Sequence, residues 1–458
     1  MIFSRKRSQF LLFFVDFLIL ILSLYLSLCI RKNHFPSFSL FISHAIHFLL
    51  IWFVFLISMY TLNLYSIDKS FVSRHFIFSL FICACIALLI GTGYFYIIDL
   101  QSMQPKTILI LAITFSYVFI IVWRNIYDCI SRKANKQLKY IFIGYNETFF
   151  DIVNASLIDN YVNFMPIALY TTNTKSLPNQ VKDSIVILEN PTDLQDFIRK
   201  ENIKIFVLAP DFSPSKEIIK ILFSALATES VFYSTAEFYE IIFRKIPLGA
   251  INEFYFLQGI TLQNKGIYHF IKRLFDIMIS ILTLVFIIPF VPIIALVIKL
   301  ESSGPVFFTQ IREGKNGKTF KLYKFRTMKT DKNNFSPTTE KDSRITKFGN
   351  FMRVTRIDEL PQMLNVLKGD MSLIGPRPER PELACELEKE IPFYRQRLIV
   401  KPGITGWDQV SGEYHSPSTE DTYKKLQYDL YYIKNQSIFL DLSILFKTIL
   451  TVFHKLGR

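Results

Sequence analysis

The sequence predicts a membrane protein in three parts: an N-terminal four-helix transmembrane bundle (residues 1–138), a Rossmann-like α/β middle domain (139–264), and a C-terminal α/β domain (265–458) that opens with a re-entrant membrane helix hairpin at about 270–300. Three observations predict it. The chain has 51% hydrophobic residues and 46 phenylalanines among 458, too apolar and too Phe-rich for an ordinary soluble enzyme. Long apolar runs fill its first quarter and recur once near residue 280. Between them, short apolar runs alternate with helix-like stretches.

The four early runs, roughly Phe10 to Ile30, Phe38 to Leu62, Phe76 to Ile98 and Thr107 to Trp123, are each near the ~20 residues that cross a bilayer as a helix. The first starts basic (Arg5, Lys6, Arg7) like a signal peptide, but it is long, lacks a small-residue cleavage site and precedes further spans, so it reads as retained. Arg5, Lys6, Arg7, Lys69, Arg74, Arg124, Arg132, Lys133, Lys136 and Lys139 flank one side of the spans, against Arg31, Lys32 and Lys106 on the other. That bias places both ends of the bundle on the cytoplasmic side. Asp16 inside the first span is either functional or paired with a neighbour. The net charge of +14 suits nucleic acid, an anionic membrane face or a phosphorylated substrate; the apolar spans favour the last two, and no nucleic-acid motif accompanies the basic groups. The five cysteines show no metal-ligand spacing and no disulfide framework.

The middle domain follows from "KYIFIGY", "FMPIALY", "SIVIL" and "IKIFVLAP", separated by "NPTDLQDFIRKEN" and "SPSKEIIKILFSALATE". Alternating strands and helices predict a parallel sheet. Its first turn, "GYNETF", keeps only Gly144 of the G-x-G-x-x-G that brings backbone up to a pyrophosphate. The domain therefore reads as degenerate and CoA-binding-like, a regulatory or oligomerising module in preference to a working nucleotide site.

The fifth run, Leu274 to Leu300, is long enough to span, but a full crossing would put Arg312, Lys315, Lys318, Lys321, Lys324, Arg326 and Lys329 outside the cell, against the positive-inside tendency. Pro289 and Pro292 each remove a helix hydrogen bond, so the pair can bend the segment back to its own face. The alternative is a kinked fifth span. Lys272 and Arg273 at one end and Lys299 at the other suit one headgroup layer.

"GPVFFTQIREGKNGKTFKLYKFRTM" then reads as two strands around a Gly-containing turn, carrying Arg312, Lys324 and Arg326 as candidate phosphate-binding groups. In "RVTRIDELPQMLNVLKGDMSLIGPRPE", Asp358 and Glu359 sit among Arg353, Arg356, Arg377 and Arg380. One reading is helix capping, with Asp358 as N-cap and Pro361 in the first turn. The other is chemistry: paired carboxylates among cations suit a divalent metal and a phosphorylated substrate, near a helix N-terminus that favours anions. A carboxylate can also attack phosphorus directly. Arg356 and Arg377, the latter braced by prolines, join the candidate phosphate-binding residues.

From about Tyr268 to Lys447 the chain resembles the bacterial sugar transferases, polyprenyl-phosphate hexose-1-phosphate transferases of the monotopic phosphoglycosyl transferase superfamily. The resemblance rests on "KRLFD", the two stretches just quoted, "VKPGITGWDQVSG" and "YDLYYIKNQSIFLDLSILFKTI". The bundle and the middle domain match the long form of that family by architecture only. The resemblance implies that Asp358 is the nucleophile on the β-phosphate of a UDP-hexose, with Glu359 its dyad partner and Mg2+ at both. It implies that Arg377 contacts phosphate and that undecaprenyl phosphate accepts the sugar phosphate, with UMP released. Lys272, Arg273 and Asp276 match a cluster opening the hairpin, read as anchoring or support. Two departures stand out: Glu413 replaces an arginine that many members carry after "VSG", and Ile288 replaces the serine that often precedes the bend proline. The expected protein is thus a multi-pass enzyme of the bacterial inner membrane, its soluble domains facing the cytoplasm, initiating surface polysaccharide synthesis, with a homodimer plausible for the long form. The rivals are a non-catalytic scaffold for polysaccharide assembly and an ordinary glycosyltransferase that would release a nucleoside diphosphate.

Overall fold

The computed structural model describes the chain apart from residues 1, 63, 66–73, 98–104, 135–137, 159–163, 173–176, 178–182, 211, 213, 229, 252–254, 256–265, 330–341, 343, 412–417 and 454–458. Lys69, Lys136 and Glu413 lie outside the described residues. The chain forms two compact units, Met1–Thr235 and Ala236–Arg458.

The first unit opens with four helices, α1 (Ile2–Lys32), α2 (Phe38–Thr61), α3 (Arg74–Ile97) and α4 (Pro105–Ala134). Helix α1 packs on α2 and α4, and α3 packs on the same two. Ser37 caps α2 by accepting the Leu40 N–H at 3.4 Å, and Pro105 opens α4, where a missing N–H costs nothing. Among the described residues five helical segments are long and apolar enough to cross a membrane: one in each of these four, and Gly266–Glu301. Asp16 pairs with Arg124 at 2.6 Å, both side chains fully buried, and the Arg124 guanidinium lies 5.2 Å from the Tyr65 ring centre. Arg124 is therefore a buried partner and not a flanking surface charge.

The α/β part follows: β1 (Leu138–Ile143), α5 (Glu147–Ile158), β2 (Phe164–Tyr170), β3 (Val186–Leu188), α6 (Pro191–Glu201), β4 (Ile205–Leu208), α7 (Lys216–Leu226) and β5 (Val231–Ser234). All pairings are parallel, in the order β3-β2-β1-β4-β5. The near-continuous apolar strands make the sheet core, with Ile141, Ile143, Tyr170 and Phe206 buried. Gly144 after β1 has φ +77°, and a Cβ there would come within 2.5 Å of Phe212 Cβ. The Phe212 ring in turn meets Tyr170 edge-on at 6.0 Å. Phe212 thus fills the turn where a pyrophosphate would approach a glycine-rich loop.

Helix α8 (Thr235–Phe243) begins at the division between the units. Ile246 and Leu248 join the second unit's core, and the Trp407 indole donates to the Arg244 carbonyl at 2.9 Å. The stretch after Ala236, expected in the middle domain, therefore packs with the C-terminal unit. Next come α9 (Gly266–Ile287), a 3-10 turn at Ile288–Phe290, and α10 (Val291–Glu301). Strands β6 (Phe307–Glu313) and β7 (Thr319–Phe325) pair antiparallel, with Phe307 opposite Phe325 and Glu313 opposite Thr319. Then follow α11 (Lys347–Val354), a 3-10 helix at Ile357–Gln362, α12 (Met363–Lys368), β8 (Ser372–Ile374), α13 (Pro381–Glu390), β9 (Gly403–Thr405) parallel to β8, α14 (Thr419–Lys434) and α15 (Ile438–Phe453). Leu322, Val366, Met371, Leu430, Tyr432 and Ile444 share the core.

The α9–α10 segment exposes Leu282, Phe286 and Leu296, yet both its ends are tied to this unit. Arg273 donates to the Val366 and Leu367 carbonyls at 2.6 and 2.9 Å, and Asp276 accepts the Leu373 N–H at 3.0 Å. At the other end Glu301 accepts the Phe348 N–H at 3.0 Å, which caps the start of α11. Pro289 and Pro292 flank the break, where the intervening backbone stays right-handed.

Candidate active site

The dyad does not sit at an Asp N-cap. Helix α11 ends at Val354 with Thr355 as its C-cap, and the chain turns through Arg356 in the left-handed region (φ 60°), so Arg356 occupies the N-cap position of the 3-10 helix Ile357–Gln362. Asp358 and Glu359 fall within that tight turn; the Glu359 N–H bonds the Arg356 carbonyl at 3.2 Å. Pro361 lies inside the same turn.

Both carboxylates are buried, but their surroundings differ. Glu359 Oε1 accepts from Lys324 Nζ at 2.8 Å and Arg377 Nη2 at 3.0 Å, while Oε2 accepts from Arg356 Nη1 at 3.5 Å. Burial alone would raise its pKa, but Lys324, Arg377 and Arg356 outweigh it and hold Glu359 below the usual carboxylate range. Asp358 Oδ1 is buried with no hydrogen-bond partner. Burial, then the Glu359 charge, push the Asp358 carboxyl up to about 6. One member of the pair is a fixed anion, and the other has an oxygen free to bond an incoming group.

Of the expected phosphate-binding residues, Lys324, Arg356 and Arg377 converge on Glu359. Arg312 is adjacent: it donates to the Pro378 carbonyl at 3.0 Å and to Gln310 Oε1 at 2.7 Å, and lines a small cavity with Lys324, Gln362 and Arg377. Arg326 does not join them. Its guanidinium donates to the carbonyls of Ser302 at 2.7 Å and Ser303 at 3.0 Å, closing the C-terminal end of α10. Strand β7 ends at Phe325, so the two-residue spacing that would align Arg326 with Lys324 stops one residue short. Lys272 pairs with Asp441 at 2.9 Å; with Arg273 and Asp276 it braces the fold.

Sequence reasoning missed a second tier. Arg397 donates to the Arg377 carbonyl and to Asp429, each at 2.9 Å, and to the Tyr394 hydroxyl at 2.7 Å, fixing the backbone that presents Arg377. Asn365 donates to the Lys321 carbonyl at 2.7 Å and accepts the Tyr323 N–H at 3.2 Å, locking α12 to the strand bearing Lys324. An asparagine inside a short helix, where its propensity is poor, was the available signal. The "GPRP" loop also leans on "KPGITGW": the Gly403 N–H bonds the Pro376 carbonyl at 2.9 Å, and a Cβ on Gly403 would lie 2.1 Å from Gly375 N.

Among the described residues no group of three or more His, Cys, Asp or Glu side chains could hold a metal. Mg2+ is commonly held by one or two carboxylates plus substrate phosphates. The unpartnered Asp358 oxygen beside Glu359 fits that mode.

The family described as "Bacterial sugar transferase" matches residues 267–455. The chain is 47% identical over 193 residues (42% of this chain, 45% of the relative) to the UDP-N-acetylgalactosamine-undecaprenyl-phosphate N-acetylgalactosaminephosphotransferase of Aeromonas hydrophila. It is 43% identical over 187 residues (40% of each chain) to the UDP-glucose:undecaprenyl-phosphate glucose-1-phosphate transferase of Escherichia coli K12. The alignments thus span less than half the length of these two relatives. Against the exopolysaccharide production protein PSS of Rhizobium leguminosarum bv. phaseoli it is 42% identical over 189 residues, 40% of this chain but 94% of the relative. With nearly the whole of that relative aligned to the unit that carries the dyad, this chain belongs to the bacterial sugar transferase family.

Proposed function

We propose that the C-terminal unit transfers a hexose-1-phosphate from a UDP-hexose to undecaprenyl phosphate, releasing UMP, through a covalent phosphosugar on Asp358. The observation that carries the reading is the asymmetry of the dyad: Asp358 has an unpartnered buried oxygen, while Glu359 is held by three cations. In the first step the Asp358 carboxylate attacks the β-phosphorus; the bond to the bridging oxygen breaks, and UMP leaves with the electron pair. In the second, a phosphate oxygen of the lipid attacks that phosphorus and the Asp358–phosphorus bond breaks, regenerating the carboxylate with no net proton transfer. On this reading the cations around Glu359, Lys324, Arg356 and Arg377, compensate charge on the donor and acceptor phosphates. Mg2+, when bound, supplies further neutralisation of the diphosphate, with Asp358 and Glu359 as its protein ligands.

The reading extends to the membrane. On this reading the four N-terminal helices form a transmembrane bundle in the inner membrane and Gly266–Glu301 is re-entrant, which is supported by the ties of its two ends to one α/β unit through Arg273, Asp276, Glu301 and Arg326. The soluble parts then face the cytoplasm, and the product opens exopolysaccharide, capsule or O-antigen synthesis. A homodimer belongs to this reading through the family resemblance alone.

The test is incubation of purified chain with Mg2+, undecaprenyl phosphate and a panel of UDP-sugars, following UMP, with Asp358→Ala as control. UMP release with one sugar, lost in the variant, is expected. UDP release would point to an ordinary glycosyltransferase, and activity surviving in Asp358→Ala would remove the nucleophile.

A further inference from the structure

Beside the dyad lies an open cleft of about 120 Å³, lined by Arg356 and Glu359 and by walls that include Leu360, Met363, Ile404, Gln409, Val410, Thr448 and Thr451. That volume is below the roughly 300–1,000 Å³ of sites that enclose a whole small molecule, so the cleft takes one part of a larger ligand. Apart from Arg356, Glu359 and Gln409, the wall offers little to a sugar or a base. The Thr405 and Thr448 hydroxyls bond each other at 2.7 Å, Thr448 also donates to the Ile444 carbonyl, and Thr451 donates to the Lys447 carbonyl, so these groups are satisfied within the protein. What the cleft presents is mainly branched apolar surface, which favours an apolar ligand.

Two features say which apolar ligand. Arg356 in the lining is half-buried, and among the described residues its one ion pair is the long 3.5 Å contact to Glu359, which leaves a cation beside the apolar walls. Met363, which follows Leu360 in that wall, accepts from the buried Ser280 hydroxyl of α9 at 3.6 Å, so this wall packs on the long apolar helix. A ligand that is anionic at one end and branched and apolar next to it, held in a unit that also carries a membrane-type helix, is a prenyl phosphate.

Resting on the function proposed above, we propose that this cleft seats the phosphate-proximal isoprene units of the acceptor lipid, with Arg356 on its phosphate. The cleft is too small for a whole polyprenyl chain, whose remainder stays in the membrane. Val410, Ile404 and Thr448 then determine acceptor affinity and have no part in donor binding.

The experiment uses the full chain in lipid nanodiscs and two readouts. Exchange of labelled UMP into UDP-sugar needs no acceptor and reports the donor half-reaction; formation of lipid diphosphate sugar reports both halves. Val410→Trp, which fills the cleft, is expected to lower the ratio of lipid product to UMP exchange at least tenfold, with the KM for prenyl phosphate raised. A diazirine-bearing prenyl phosphate on the unsubstituted chain is expected to label peptides covering 402–411 and 444–451, which reads the site even if the tryptophan variant fails to fold. An unchanged ratio in a folded variant would overturn the assignment, as would labelling confined to the apolar pocket of Phe275, Ile279 and Leu442. Absence of UMP exchange in the unsubstituted chain would instead sink the enzymatic reading, with the labelling pattern still deciding the cleft.

Discussion

Asp358→Asn is expected to stabilise the region around the dyad at neutral pH while abolishing transfer. The carboxyl is 7% exposed, and burial with the neighbouring Glu359 charge lifts it from 3.8 to about 6. At about 1.4 kcal/mol per pH unit, ionising it in the folded protein costs about 3 kcal/mol. The direction follows from linkage: a raised pKa means that the folded state holds the proton more tightly. The wild type is therefore most favoured below about pH 4 and loses that advantage as pH rises through about 6. Asparagine keeps the shape and cannot ionise, so its gain should be near zero at pH 4 and reach up to about 3 kcal/mol at pH 7.5. Hydrogen exchange in peptides spanning Ile357–Lys368, in magnesium-free buffer, reads the local opening free energy and does not require the whole chain to unfold in one step. A variant less protected than wild type at pH 7.5, or a gap that widens toward acid, would refute the argument. The same titration should give UMP exchange an acid limb near pH 6, since only the ionised carboxylate attacks.

Arg377→Ala should lower kcat/KM for UMP exchange about 100-fold, the scale of one charge-assisted hydrogen bond of about 1.5–3 kcal/mol, and Arg377→Lys should recover only part of it because the planar fork is lost. Arg326→Ala should behave oppositely: it removes hydrogen bonds to the Ser302 and Ser303 carbonyls, costing about 1–3 kcal/mol of stability in thermal unfolding, with exchange per folded molecule within about twofold of wild type. Asp16→Asn leaves the Arg124 charge uncompensated in the helix interior; breaking a buried pair costs roughly 3–5 kcal/mol, and the Asp16→Leu, Arg124→Leu double variant should regain most of the lost membrane-extracted yield.

Much of this was legible before the fold, and the part that was not has a common cause. The apolar helices could be read because length and hydropathy are local properties, and the α/β alternation because strand and helix periods differ within a few residues. The approximate place of the carboxylate pair was equally plain. Partner choice was not. Arg326 and Lys324 look equivalent in "YKFRTM", yet one caps a helix and the other bonds Glu359. Arg124 reads as a flanking charge until Asp16, distant in sequence, is brought beside it. Arg397 and Asp429 sit in separate segments, and only the fold makes them the support of Arg377. Asp358 as N-cap followed from propensity alone; the left-handed turn at Arg356 overrode it.

The geometry of the dyad depends on the apolar helix next to it. The 3-10 turn with Asp358 and Glu359 runs straight into α12, six residues long, far below the length at which a helix is stable by itself. Its orientation must come from outside. Asn365 bonds it to β7, the strand that delivers Lys324 to Glu359. Arg273 of α9 donates to the Val366 and Leu367 carbonyls at its C-terminal end, where unpaired acceptors and the negative end of the helix dipole favour a cation. Ser280, two turns further along α9, touches Met363 at its N-terminal end. The same helix thus grips the short helix at both ends, and Asp276 holds β8 through the Leu373 N–H. A displacement of α9 would be passed to the dyad through rigid side-chain contacts only a few ångströms long. On the function proposed here, the segment that reaches the lipid is also the one that sets the carboxylates, so acceptor position and nucleophile position are fixed by a single element.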